Sequence, residues 1–153
     1  MKEKELLDFV AYAKKKSYAD LNSIWKKIDG GGKRCTIKKS DFTYVDTYFG
    51  GLIDSGQEKI SYKGKVVWIM AYRGGSLNEN LSKESFNFLK ECIGKIPKAF
   101  PARGPKNFVR DKWKYQNKWK GNIWSFVGEE YIYYCGKKVC FRNYLGGLIK
   151  NKK

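Results

Sequence analysis

Residues 56–75 read GQEKISYKGKVVWIMAYRGG, and residues 128–147 read GEEYIYYCGKKVCFRNYLGG. Laid together without a gap, they agree at ten of twenty positions, from Gly56/Gly128 and Glu58/Glu130 to Gly74-Gly75/Gly146-Gly147. Average residue usage gives about one or two matches by chance, so the chain reads as a tandem duplication. Each copy is rich in β-branched and aromatic residues around a two-residue turn, Lys63-Gly64 or Cys135-Gly136. That is the pattern of a hairpin closed by a type I′ turn. A regular hairpin then sets Tyr62 opposite Lys65, Ile60 opposite Val67 and Glu58 opposite Ile69. In the second copy Tyr134, Ile132 and Glu130 face Lys137, Val139 and Phe141. Alternation along a strand places Glu58, Ile60 and Tyr62 on one face, and Glu130, Ile132 and Tyr134 likewise.

Working outward, a further strand precedes each hairpin, at residues 42–50 and at about 113–121. Before each strand lies a helix. The first, about 4–16, carries Leu6, Phe9, Val10 and Ala13 on one stripe. The second, about 83–93, has Ser82 as its N-cap, Phe86, Leu89 and Ile93 on one stripe, and Gly94 as its left-handed C′ residue. Residues 17–40 read as a long connection around Gly30-Gly31-Gly32, with one helical turn near 24–28. Residues 97–112 hold all three prolines and read as an extended crossover. The expected fold is therefore α+β: two tandem pseudo-symmetric helix-strand-hairpin repeats forming a mostly antiparallel curved sheet, with helices packed on one side. One domain covers 1–153, the first repeat about 1–76 and the second about 77–150. By analogy, such halves leave a concave surface between them.

Composition narrows the function classes. The chain has 153 residues, 42% of them hydrophobic and 16% aromatic, enough for a core and unlike a disordered segment. Its apolar runs are too short to span a bilayer. Residues 1–16 are amphipathic rather than a signal peptide, so a cytoplasmic location and no membrane partner are expected. Four cysteines without a Cys-x-x-Cys pair, and no histidine, argue against zinc or a disulfide framework. Neither a metal nor a cofactor is expected. The missing histidine also removes the commonest general base. The net charge is +17, yet only five of the 32 basic residues are arginine. Lysine is a hydrated point charge rather than a bidentate reader of phosphate.

The string Asp41-Phe-Thr-Tyr44-Val-Asp46-Thr-Tyr48-Phe-Gly-Gly51 resembles the signature of the DUF5680 family, a bacterial and archaeal domain of unknown function. So do Gly128 to Tyr134, Arg103-Gly104-Pro105 and Gly146-Gly-Leu-Ile149. Some members carry an N-terminal helix-turn-helix DNA-binding domain, so the resemblance implies a sensory or regulatory role. Here residues 1–16 read directly as the first helix of the domain, and the resemblance brings no activity with it.

Carboxylates on half-buried strands must be paired or used. Asp41, Asp46, Glu58 and Glu130 lie among aromatics in predicted sheet, so they are candidates to orient a small ligand. Tyr44, Tyr48, Tyr62, Trp68, Arg103 and Tyr134 complete the candidate ligand-binding set; no residue is singled out as catalytic. The competing structural reading is salt bridges to lysine and hydrogen bonds to tyrosine. Residues 98–120 interleave eight basic residues with five aromatics, a pattern that suits single-stranded nucleic acid. In the strand, though, Trp113, Tyr115 and Trp119 alternate with lysines, as rings inward and charges outward require. The glycine pairs lack the Gly-Lys-Ser/Thr ending of a P-loop. The leading expectation is a non-enzymatic small-molecule-binding or sensory domain. A nucleic-acid-binding module using the lysine-rich surface is the alternative, and a carboxylate-based enzyme the third reading. The residues specify neither the ligand nor an oligomeric state.

Overall fold

In a computed structural model, which describes residues 1–152, the two hairpins are matched in length. They are β4 (Ile53–Tyr62) with β5 (Lys65–Ser76), and β8 (Ser125–Tyr134) with β9 (Lys137–Leu148). Both turns have positive φ at both central residues, 48° and 78° at Lys63 and Gly64, then 49° and 78° at Cys135 and Gly136. This is the type I′ geometry, whose twist suits the flanking strands.

Beyond the turns the register departs from a regular hairpin. A bulge between Ile60 and Ser61 sets Ile60 against Trp68 and Glu58 against Met70. Its counterpart between Ile132 and Tyr133 sets Ile132 against Cys140 and Glu130 against Arg142. The expected pairings with Val67, Ile69, Val139 and Phe141 are each one residue off, because a bulge adds one residue to one strand. The extra residues are used: the Val67 carbonyl accepts from Ile149 N at 2.9 Å, and the Val139 carbonyl from Leu77 N at 2.7 Å. The slip matters for chemistry. In a regular hairpin Arg142 would project from the face opposite to Glu130.

The α+β expectation is corrected by the topology. Three strands lie in segments read as connections: β1 (Lys26–Ile28), β2 (Gly32–Lys39) and β6 (Asn107–Arg110). With β3 (Phe42–Gly50) and β7 (Trp113–Asn122), nine strands form one antiparallel sheet in the order β1-β2-β3-β4-β5-β9-β8-β7-β6. Helix is only about 21% of the chain, so the structure is a continuous sheet with two short helices laid on it, not a pair of helix-strand units. β2 escapes a pattern reading because four of its eight residues are Lys or Arg, a composition suited to a strand near an exposed edge. Its neighbour β1 replaces the helical turn expected near 24–28.

The two helices are α1 (Glu3–Lys16) and α2 (Ser82–Ile93). Ser82 is the first helical residue rather than the N-cap. The preceding 3-10 turn is capped instead by Asn78, whose side chain accepts from Leu81 N at 3.3 Å. Gly94 stays right-handed, with φ −65°. From α1, Leu6, Phe9, Val10 and Ala13 pack in a core cluster with Tyr44, Ile60, Trp68 and Met70. From α2, Phe88, Leu89, Cys92 and Ile93 join Tyr115, Ile132 and Cys140. The register puts all these strand residues on one face of the sheet. No helix among the described residues is long and apolar enough to cross a membrane.

Candidate functional site

Directly paired residues share a face, so the register lays side chains in rows across the sheet. One row runs Asp46, Glu58, Met70. A second, beyond the row through Gly56, Tyr72 and Tyr144, runs Asp54, Gly74, Arg142, Glu130, Asn117. Gly74 governs the second row. A Cβ there would meet the Phe141 carbonyl and stand 2.7 Å from Arg142 Cα. Without it, Arg142 reaches across β5 and grips Asp54 with Nη1 to Oδ1 at 2.6 Å and Nη2 to Oδ2 at 3.0 Å. Tyr72 similarly crosses Gly56 and donates to Asp46 Oδ1 at 2.6 Å, while Tyr144 crosses Gly128 and donates to Asn117 Oδ1 at 2.6 Å.

Two cations come from outside the sheet. Lys14, in the last turn of α1, donates to Glu58 Oε1. Arg103, between α2 and β6, donates Nε to Glu130 Oε2 at 3.1 Å and Nη2 to Oε1. Tyr115 donates its hydroxyl to Glu130 Oε2 at 2.5 Å, and Arg142 Nε lies 3.5 Å from Oε1. Asn117 Nδ2 donates to the Gly104 carbonyl at 2.9 Å, tying the Arg103 segment to the sheet. Lys14, Asp46, Glu58, Arg103, Glu130 and Arg142 are all buried. Buried charges persist only when paired, and all but one of the carboxylate oxygens of Glu58 and Glu130 have partners. The exception is Glu58 Oε2, which is buried and has no hydrogen-bond partner.

Glu58 lines a cavity of about 210 Å³ between the sheet and the two helices. Lys14 and Tyr18 close it on the α1 side, and Phe86, Leu89 and Ile93 of α2 form an apolar wall. Asp46, Tyr48, Asp54, Tyr72 and Arg142 rise from the sheet, with Arg103 alongside. With Lys90 of α2, four cations and three carboxylates thus face one space. Among the described residues, no three His, Cys, Asp or Glu side chains are grouped to hold a metal ion.

Burial pushes the Asp46 carboxyl up to about 7, helped by the charge of Glu58 and opposed by the Tyr72 hydrogen bond and by Lys14. Burial lowers Lys14, against the pull of Glu58. At Glu130 burial also favours the neutral acid, but Arg103, Arg142 and Tyr115 outweigh it and hold the group below the usual range. Because folded Asp46 keeps its proton to a higher pH than the unfolded chain does, its ionisation costs stability as pH rises from about 4 to about 7. The rise from 3.8 to about 7 sets a ceiling of about 4 kcal/mol. Asp46→Asn keeps an acceptor for Tyr72, as Asn117 does for Tyr144. Its stability relative to the native chain should therefore grow by about 1–3 kcal/mol between about pH 5 and about pH 8 in urea unfolding. A flat difference would show that Asp46 does not titrate in a buried setting.

Of the residues singled out from sequence, Asp46, Tyr48, Glu58 and Arg103 line the cavity. Glu130 sits behind it as the anchor of Arg103 and Arg142. Tyr44 is core beneath Glu58, and its hydroxyl is raised by burial and then by the Glu58 charge. The other three sheet residues lie elsewhere. Trp68 is core and donates Nε1 to the Ile123 carbonyl at 2.9 Å, while Tyr62 packs at a tilt against Phe42 and Tyr134 against Trp113. Asp41 is exposed, 3.8 Å from Lys63. Tyr62 and Tyr134 flank the turns, on the far side of the bulges from the charged rows. The reading from sequence missed Lys14, Asp54, Tyr72 and Arg142. Lys14 carried a signal: it continues the Leu6–Val10 stripe by one more helical turn, a position that faces inward. Tyr72 carried one too, as an identical partner of Tyr144. Arg142 carried none, because the bulge decides its face.

Fold and cavity together define a single-sheet antiparallel domain with a buried, charge-lined cleft. A family profile described as a domain of unknown function (DUF5680) matches residues 46–149. The chain belongs to this family. The matched span holds every charged cleft residue except Lys14. No curated protein and no solved structure matches the chain.

Proposed function

We propose that the domain binds a small polar molecule in the cleft between the helices and the sheet. The observation that carries this reading is Glu58: a buried, cavity-lining carboxylate with one oxygen left without a protein partner. An unpaired buried acceptor costs about 1–3 kcal/mol, more when charged, and a ligand donor at Oε2 removes that cost. The space of about 210 Å³ is below the roughly 300–1,000 Å³ of drug-sized sites, which favours a compact metabolite. The lining favours an amine or hydroxyl set on a short apolar body, the polar end at Glu58 and Asp46 and the body against Leu89 and Ile93. A sensory or regulatory role fits such a site, since ligand binding would fasten α1, α2 and the sheet together.

A thermal-shift screen against metabolites tests the reading. A ligand at about 100 times its dissociation constant adds about 2.7 kcal/mol of stability. Amine- or hydroxyl-bearing compounds should stabilise the native chain, and Glu58→Gln should abolish the shift while leaving the protein folded. Compounds that shift both proteins equally, or no stabilising compound of this class, would refute the assignment.

A further inference from the structure

The outer face of the sheet, turned away from both helices, is bare. The strands from β5 to β7 present Arg73 from β5, Lys138 from β9, and Lys114, Lys118 and Lys120 from β7, against a single acid, Glu129 of β8. Five cations to one acid exceeds the 32 to 15 of the whole chain, so this face is more basic than an evenly spread lysine surface. The cause is structural: Asp46, Asp54, Glu58 and Glu130 all point to the helix side, which strips the outer face of anions. Glu129 is itself engaged, accepting from the Tyr131 hydroxyl at 2.8 Å. Arg73, Lys118 and Lys120 border a groove of about 670 Å³, floored by Ala71, Asn143 and Leu145.

The rings of the basic stretch 98–120 are turned inward: Tyr115 is core and Trp119 stacks on Phe100. Other rings take their place on the outer face. Tyr131 pairs directly with Phe141, and Tyr133 with Lys138. All three rings are half-buried. Lys138 Nζ stands 3.8 Å from the Tyr131 ring centre, and the Arg73 guanidinium 5.9 Å from that of Phe141. On β7, Lys118 and Lys120 project from the same face about 6.7 Å apart, close to the step between successive phosphates of an extended strand.

From this arrangement we infer that the outer sheet face binds single-stranded nucleic acid, with the lysines and Arg73 on phosphates and the Tyr131–Phe141 pair beneath unstacked bases. A broad sheet surface cannot enter a duplex groove, whereas rings interleaved with cations suit single strands. This site is independent of the cleft and would stand if the cleft binds nothing.

Fluorescence anisotropy with labelled mixed-sequence single strands and duplexes, from about 50 mM to about 200 mM salt, tests it. Single strands should bind better than duplex, with a log–log salt slope of about −2 to −4, as roughly 0.7 per neutralised phosphate requires. Arg73→Glu/Lys118→Glu/Lys120→Glu should weaken binding at least about thirtyfold at the lower salt. Lys15→Glu/Lys16→Glu/Lys83→Glu changes the net charge equally on the helix side and should weaken it only a few-fold. Tyr131→Leu should weaken it about fivefold or more, since a stacked base contributes about 1–3 kcal/mol. Equal losses from the two triple variants would reduce the effect to overall charge and overturn the inference. So would a preference for duplex, equal binding of polyglutamate, or no binding at low salt.

Discussion

Glu130→Leu should destabilise the protein by about 3–5 kcal/mol, the usual cost of breaking a buried ion pair by removing one partner. Against a typical total of about 5–15 kcal/mol, that brings the chain close to unfolding at moderate temperature. Glu130 accepts both Arg103 bonds and the Tyr115 hydroxyl, and Arg142 Nε leans on it. Leucine would leave a buried guanidinium and a buried phenol without acceptors. The double variant Glu130→Leu/Arg103→Met should recover much of the loss, because apolar replacement of a whole buried pair is often near neutral. Chemical unfolding of the three proteins measures both effects. A single variant within about 1 kcal/mol of the native chain would mean that the charges are not sequestered as described. The wild-type contribution also has a pH signature. Glu130 is held below its usual range, so its stabilisation is complete above about 4.5 and is lost as pH falls through the lowered folded value.

Lys14→Met should cost nearly as much, about 3–5 kcal/mol. Among the described residues Lys14 is the sole hydrogen-bond partner of Glu58, and Asp46 stands beside that carboxylate in the same row. Without the ammonium, the buried carboxylate would be left unpaired beside a second acid. Lys14→Met/Glu58→Gln should therefore be more stable than Lys14→Met alone, because the stranded charge goes with its partner. Urea unfolding of the two variants beside the native chain reads this directly. A double variant no more stable than the single one would indicate that only packing of the lysine stem was removed.

How much of this was legible in the residues follows from what each pattern encodes. The likeness of residues 56–75 to 128–147 exposed the two hairpins and their type I′ turns, because X-Gly turns and alternating apolar residues report local backbone geometry. It overstated the helices: an amphipathic stripe shows that a segment lies on a core, not that it belongs to a unit repeated with the strands. Lysine-rich β2 and the short edge strand β6 have no apolar alternation, so their pairing is set by neighbours rather than by their own composition. Asp46, Glu58 and Arg103 could be nominated because acids and arginine among aromatics need partners. Their partners were hidden for two reasons. The bulges set the face of Arg142 and the pairing of Glu58. The glycines at 56, 74 and 128 look like weak strand positions, yet they let Tyr72, Arg142 and Tyr144 reach across a neighbouring strand.

The central claim, that the cleft beside Glu58 receives a small polar ligand, is tested most directly by a crystal structure of the protein with the most stabilising metabolite from the screen. A polar donor of the ligand should lie within hydrogen-bond distance of Glu58 Oε2, its apolar part against Leu89 and Ile93. A ligand seated on the outer sheet face or at a crystal contact, with the space beside Glu58 left as it is in the free protein, would contradict it.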